Sequence, residues 1–248
     1  MRAARETQEA VVWHDVECGG YAADLGTWTA LAAAAPSGTL ELGCGTGRVA
    51  LALARAGRRV SGLDSDSELL EALRERARAH GLEIATHHAD AREFELGERF
   101  GLVAAPMQLV QLFDEAGRRS MLGAMARHLV PGGRAALAIA AEPPAPWRAD
   151  RDSHPPPPDV RELDGWVYSS LPLGVEREEG AVVVRRLRQS VSPEGSLTER
   201  EHTVRLRDLP AEVLEAEALE AGLRPAARRA VPATREHVGS LVVVLEGS

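Results

Sequence analysis

Through the first half of the chain, short apolar runs alternate with stretches whose apolar residues recur every third or fourth position. The runs fall near 39–42, 59–63, 84–88, 101–105 and 134–139. Runs of that length, bounded by glycine and polar residues, predict strands. The stretches near 46–57, 66–80 and 114–128 carry the helical period and predict helices between them. Alternating strands and helices predict a parallel sheet with helices on both faces, a fold that places ligands beyond the carboxyl ends of its strands.

Beyond Glu142 the pattern changes. Pro143-Pro-Ala-Pro146 and Pro155-Pro-Pro-Pro158 frame an extended segment that cannot be helical. Gly165–Leu171, Ala181–Val191 and Leu197–Leu206 read as strands, and Ser192-Pro-Glu-Gly-Ser196 joins the last two as a hairpin turn. The alternation in Thr198–Arg207 gives this sheet one solvent-facing side. The chain then predicts a helix over Ala211–Ala221, a Gly222 stop, and strands over Arg224–Val231 and Ser240–Glu246 that complete the first sheet as an antiparallel edge pair. The expected organisation is a core with an N-terminal lid helix over 1–142, an antiparallel β insertion over the active-site edge at 143–207, and a C-terminal helix and strands at 208–248.

Composition narrows the function. The chain has 248 residues, 44% of them hydrophobic and 27% charged, ordinary values for a globular protein with a substantial core. No run is long enough to span a bilayer and no secretory leader is visible, so a cytoplasmic protein is expected. The net charge of −8, with arginines interleaved among acids, disfavours a nucleic-acid partner. Cys18 and Cys44 have neither metal nor disulfide spacing. All 29 basic residues are arginine, and lysine and asparagine are absent, which removes P-loop and Schiff-base lysine chemistry.

The stretch Thr39-Leu-Glu-Leu-Gly-Cys-Gly-Thr-Gly-Arg48 concentrates the chemistry. A strand runs into Gly43, Gly45 and Gly47 and then into a helix whose free N–H groups face the same turn. The dinucleotide fingerprint spaces its glycines GxGxxG for a pyrophosphate. Here the spacing is GxGxG, and Glu41 beside the turn repels a pyrophosphate but suits an ammonium or sulfonium. With Cys44 inside it, this segment resembles the first motif of the class I S-adenosylmethionine-dependent methyltransferases.

Three further segments match that family at its intervals. A strand ends in Asp64-Ser65-Asp66, where the resemblance implies that Asp64, beside Ser65, accepts from both ribose hydroxyls while Asp66 caps the next helix. His88-Ala-Asp90-Ala91 follows the third strand, and there the resemblance implies that Asp90 accepts from the adenine amine while the Ala91 N–H donates to the ring. Leu129-Val-Pro-Gly-Gly-Arg134 resembles the family's turn into its fifth strand. The implied fold is α/β, Rossmann-like and doubly wound, its mostly parallel sheet closed by an antiparallel C-terminal edge strand and joined by the antiparallel insertion. The implied cofactor is S-adenosyl-L-methionine, with S-adenosyl-L-homocysteine as product.

The segment Ala105-Pro106-Met107-Gln108 lacks the Asx-Pro-Pro-aromatic motif of enzymes that methylate amide or adenine nitrogen. It also lacks the Pro-Cys nucleophile of pyrimidine C5 enzymes, and the absence of asparagine removes the ligand pair of the metal-dependent catechol type. Those three classes are disfavoured, the resemblance implies transfer to a small-molecule oxygen or nitrogen, and a monomer or homodimer is expected. An N-terminal helix of the resembled enzymes lies across the cofactor, and Tyr21, in the stretch Tyr21–Trp28, can reach the methionine end. Met107 is expected beside the cofactor, with Gln108 and Gln111 orienting substrate by hydrogen bonds. A sulfonium methyl is already activated, so proximity is expected to supply most of the rate. Among possible bases, His14 before the lid helix ranks above His154 and His202 in the insertion, while His87 and His88 fit a structural role beside the adenine site. A regulatory protein that binds the cofactor without turnover is the alternative from another class, and a nicotinamide-dependent oxidoreductase is disfavoured by the glycine spacing and Glu41.

Overall fold

The computed structural model describes residues 2–142, 145–149, 156–234 and 237–247, with side chains from residue 9 onward. Two helices, α1 (Arg2–Cys18) and α2 (Leu25–Ala33), precede the alternating core. The core runs β1 (Thr39–Leu42), α3 (Arg48–Arg55), β2 (Val60–Asp64), α4 (Ser67–Ala79), β3 (Ile84–His88), β4 (Phe100–Ala105), a 3-10 turn (Leu109–Leu112), α5 (Glu115–Arg127) and β5 (Leu129–Ala140). The insertion holds β6 (Trp147–Arg148), β7 (Asp159–Leu163), β8 (Trp166–Glu178), β9 (Ala181–Val191) and β10 (Leu197–Arg207). The chain closes with α6 (Ala211–Glu220), β11 (Arg224–Val231) and β12 (Ser240–Glu246).

The first sheet has strand order β11-β12-β5-β4-β1-β2-β3. β1 pairs in parallel with β2 and β4, and Thr39–Leu42 is buried along its whole length, so Thr39 and Glu41 are buried together with Leu40 and Leu42. The reversed strand is β12, between β5 and the outermost β11. One face is covered by α2, α3 and α4 through Trp28, Leu31, Leu53, Leu70 and Leu73. The other is covered by α5 and α6 through Met121, Leu122, Met125, Leu214 and Ala218.

The strand edge that matters is built by caps and turns. Asp66 caps α4, its carboxylate accepting from the N–H groups of Glu68 and Leu69, as the sequence suggested. Gly47 takes φ 96° at the start of α3, and a Cβ there would be strained and would lie 2.3 Å from Leu73 Cδ1, forcing that side chain to shift.

The second sheet is antiparallel, in the order β10-β9-β8-β6 with β7 paired to β8. The Ser192 hydroxyl accepts from the N–H groups of Glu194 and Ser196 and closes the expected hairpin. Two acids on α1 tie this sheet to the core. Asp15 takes both Nη atoms of Arg76 on α4, at 2.8 and 2.5 Å, and lies 2.9 Å from Arg161 on β7. Glu17 takes Arg188 on β9 at 2.8 and 2.6 Å and the Ser170 hydroxyl on β8 at 2.8 Å. Burial alone would push both carboxyls up in pKa, but hydrogen bonds from Arg76 and Thr46 hold Asp15 below its ordinary value, and those from Arg188 and Ser170 do the same for Glu17.

These contacts correct the expected lid. The stretch Tyr21–Trp28 leads into α2, which packs onto the sheet, with Trp28 fully buried and its indole N–H donating to Asp24 at 2.8 Å. The helix beside the strand edge is α1, and His14 lies inside it rather than before a lid.

Candidate cofactor and acceptor site

A cavity of about 400 Å³ opens at the carboxyl edge of the first sheet, a size typical of small-molecule sites. Glu41, Gly43, Asp64, Ser65, Asp90, Ala91 and Met107 border it, which brings together seven of the expected cofactor residues from four strand ends. Gly45 and Cys44 stand just behind its wall. The Cys44 thiol points away from the cavity: a Cβ on Gly62 would lie 2.7 Å from its Sγ, and burial pushes its pKa up.

Asp64 both faces the cavity and braces the glycine turn. Its Oδ2 accepts from the Gly45 N–H at 2.8 Å and its Oδ1 from the Asp66 N–H at 3.0 Å. Each carboxylate oxygen keeps a further lone pair for a hydroxyl donor. Asp90 also borders the cavity, but its two oxygens are engaged by the Arg92 guanidinium at 2.6–3.1 Å and by the Arg92 N–H at 2.8 Å. Arg92 in turn lies over the Phe113 ring, 5.4 Å from its centroid.

Glu41 is 3% exposed, and its Oε2 has no hydrogen-bond partner among the described residues. Desolvation raises its pKa to about 8 against the pull of Arg48 and a hydrogen bond from the Ala50 N–H. The nearby Arg48 guanidinium does not neutralise Glu41 because Asp24 takes both its Nη atoms, at 2.6 and 2.9 Å, and the Tyr21 carbonyl accepts from it at 2.9 Å.

His14 covers the glycine turn. A Cβ on Gly45, whose φ is 51°, would lie 2.1 Å from His14 Nε2, so the protein's own imidazole occupies the approach that this glycine leaves open. Burial lowers the His14 pKa from its ordinary value, which favours the neutral ring at pH 7. The Thr46 hydroxyl donates to the ionised Asp15 at 2.8 Å, which leaves the Thr46 oxygen to accept from His14 Nδ1–H at 3.2 Å. That assigns the neutral proton to Nδ1 and leaves a lone pair at Nε2.

The remaining expectations separate. Met107 and Gln108 both adopt left-handed conformations, with φ of 53° and 57°, rare for side chains of this kind and frequent at functional sites. Met107 borders the cavity; Gln108 instead donates to the Ser240 hydroxyl at 2.9 Å. Gln111 is a correction. Its amide nitrogen donates to the Arg207 carbonyl at 2.8 Å and its oxygen accepts from the Ala140 N–H at 2.7 Å, so it joins β5 to the end of the insertion and faces a different cavity. Tyr21 is a second correction. Its ring stacks on His237 at 4.7 Å and its buried hydroxyl lies beside Ser240, outside the cavity lining.

His88 Nε2 pairs with the Ser65 carbonyl at 3.0 Å, the structural place expected for it. His202 sits on β10 away from the cavity, and His154 lies outside the described residues. Arg48, Arg92, Cys18, Leu109, Leu112 and Phe113 also border the site and were not singled out from the sequence.

Comparison with known proteins bears on the family and the fold. The family described as a methyltransferase domain matches residues 39–133. That match lies on the alternating strand-helix core, over the same glycine turn and strand ends that resemble the class I S-adenosylmethionine-dependent methyltransferases. A dTDP-4-amino-2,3,4,6-tetradeoxy-D-glucose N,N-dimethyltransferase of Saccharopolyspora spinosa is 32% identical over 158 residues, covering 61% of this chain and 51% of its own. A cypemycin N-terminal methyltransferase of a Streptomyces species is 34% identical over 99 residues, 40% of each chain. The chain thus spans about half or less of the length of these curated relatives. Among solved structures, SAM-bound CalS10, an amino pentose methyltransferase from Micromonospora echinaspora, superimposes with a TM-score of 0.67 at 22% identity, covering 100% of this chain and 96% of its own. That likeness extends the shared fold to the insertion and the C-terminal strands.

Proposed function

We propose that this chain transfers a methyl group from S-adenosylmethionine to an amine nitrogen of a small-molecule acceptor. The observation that carries the reading is one cavity bordered by three carboxylates from the ends of three adjacent strands, Glu41, Asp64 and Asp90, the first of them buried with an unpartnered oxygen. The cofactor offers three groups of hydrogen-bond donors along its length: an α-ammonium, two ribose hydroxyls and an adenine amine. Donors and acceptors correspond in kind and in order, so these residues fit the group. Glu41 would take the ammonium, Asp64 the hydroxyls and Asp90 the adenine amine, the last through lone-pair capacity left beside Arg92. A nitrogen acceptor is favoured by the relatives, one named as an N,N-dimethyltransferase of an amino sugar and the other as an N-terminal methyltransferase.

When bound, the cofactor supplies a methyl group already activated on a sulfonium. The chain's task is to hold the acceptor in line and keep water out. Met107, Leu109, Leu112 and Phe113 give the cavity an apolar wall suited to that task. An amine that enters uncharged attacks through its own lone pair and sheds its proton afterwards, so no base is required in the transfer step. His14 carries a free lone pair, yet it sits against Gly45 on the cofactor side, and we assign the rate mainly to proximity. The insertion, tied to α1 through Glu17 and Arg188, would cover the acceptor.

The test is incubation with S-adenosylmethionine and a panel of nucleotide-linked amino sugars and short peptides with free amino termini, with S-adenosylhomocysteine release and product mass as readouts. N-methylated product is expected; methylation at oxygen alone would overturn the nitrogen assignment, and failure to bind S-adenosylhomocysteine would overturn the function.

A further inference from the structure

Glu41 is a buried carboxyl with no ion-pair partner among the described residues. It is 3% exposed, its Oε2 has no partner among the described residues, and it borders the cavity. The charged groups that face it come from three elements. Arg48 on α3 favours the carboxylate, as does the Ala50 N–H of the same helix, while Asp24 before α2 and Asp64 on β2 oppose it. Arg48 is held by both oxygens of Asp24 and by the Tyr21 carbonyl, so it cannot turn fully toward Glu41 without breaking that fork. With Arg48 held by Asp24, an ionised Glu41 would be a desolvated charge without a counter-charge of its own, an arrangement that proteins avoid by protonation.

We propose that Glu41 carries a proton while the cavity holds no cation and gives it to solvent when the α-ammonium of the cofactor docks beside it, so that binding of the amino-acid end releases one proton. This rests on the functional reading above and adds a linkage to it. The balance is simple: the carboxylic acid loses its O–H proton to buffer, the carboxylate and the ligand ammonium form an ion pair, and no other bond changes. Burial then works for selectivity, because a nucleoside without the ammonium leaves Glu41 protonated and forgoes the ion pair.

The experiment is titration calorimetry of the full chain at pH 6.5 in phosphate and in buffers of larger ionisation enthalpy. The probes are S-adenosylhomocysteine and 5′-methylthioadenosine, which lacks the amino-acid end. This pH lies below the ordinary α-amino range of about 7.7–8.0, so the ligand ammonium is charged before binding. The expected result is release of close to one proton with S-adenosylhomocysteine and none with methylthioadenosine. Affinity for S-adenosylhomocysteine should also rise about tenfold per pH unit between pH 6 and 7. Glu41→Gln should abolish the release and flatten the pH dependence; the wild-type comparison of the two ligands stands without that variant. Binding of S-adenosylhomocysteine without proton release, or equal release with methylthioadenosine, overturns the proton linkage while leaving the function intact. Absence of binding by both overturns the functional reading itself.

Discussion

The Gly45 N–H donates to Asp64 Oδ2 at 2.8 Å, across 19 residues of sequence, so the proposed ribose ligand also holds the glycine turn in shape. Asp64→Ala should therefore cost about 1.5–3 kcal/mol of S-adenosylhomocysteine binding, the worth of charge-assisted hydrogen bonds. Calorimetry on the folded variant checks this, and unchanged affinity would remove Asp64 from the site.

Gly45→Ala should weaken both folding and binding, since the new Cβ meets His14 Nε2 and the left-handed φ adds about 1–2 kcal/mol of strain. Removing the imidazole removes the clash but not the strain. Thermal unfolding of Gly45→Ala, His14→Ala and the double variant should show a coupling of about 0.5–3 kcal/mol in favour of the double variant. Strict additivity would mean that the turn and α1 are not in contact.

Little of that coupling was legible in the sequence, although the elements were. Residues 39–42, 181–191, 224–231 and 240–246 form strands with the expected bounds; 240–246 announces itself as a buried apolar run, whereas 224–231 is exposed at all but its last residue. Asp64 and Asp90 could be placed at the strand edge because their distance from the glycine turn is set by the strand-helix unit. The role of α1 was not legible. Its apolar face is short, with Val12, Trp13 and Val16 buried, and Asp15 and Glu17 look like solvated acids until the fold brings Arg76 and Arg188 to them from 61 and 171 residues away. Arg48 and Arg92 were lost among 29 arginines. Gln111 was misjudged because a glutamine beside a strand end bonds backbone or ligand equally well, and only the fold shows Ala140 and Arg207 within reach.

Acid should loosen α1 before the rest of the fold. Asp15 and Glu17 have folded pKa values below their ordinary ones near 3.8 and 4.5, so their stabilising effect is fully present above those ordinary values and is lost as pH falls through the lower folded values. Hydrogen exchange at pH 3.5 should show α1 amides opening sooner than those of α4, relative to pH 7. Asp15→Asn combined with Glu17→Gln should bring the same opening at neutral pH. Equal protection of α1 and α4 at both pH values would contradict the ion-pair account.

Glu41 acts on stability in the opposite direction. Its folded pKa of about 8 lies above the ordinary 4.5, so between these values the unfolded chain binds fewer protons and stability falls as pH rises. The advantage of Glu41→Gln over wild type should grow between pH 5 and 8 by at most about 1.4 kcal/mol per pH unit. Denaturant titrations across that range measure the slope, and a pH-independent difference would mean that Glu41 is ionised in the free protein.

His14→Ala should leave turnover within about tenfold of wild type if proximity supplies the rate. A general base is worth about 100-fold or more. Steady-state kinetics with an identified acceptor separates the two, and a loss in that higher range with acceptor binding intact would make His14 the base.

The central claim is that Glu41, Asp64 and Asp90 line one cofactor along its length. A crystal structure with S-adenosylhomocysteine tests it most directly. The account predicts the ribose hydroxyls on the Asp64 carboxylate, the α-ammonium on Glu41 and the adenine amine at Asp90, each within about 2.7–3.2 Å. A nucleoside bound in the reverse direction, or outside this cavity, would contradict it.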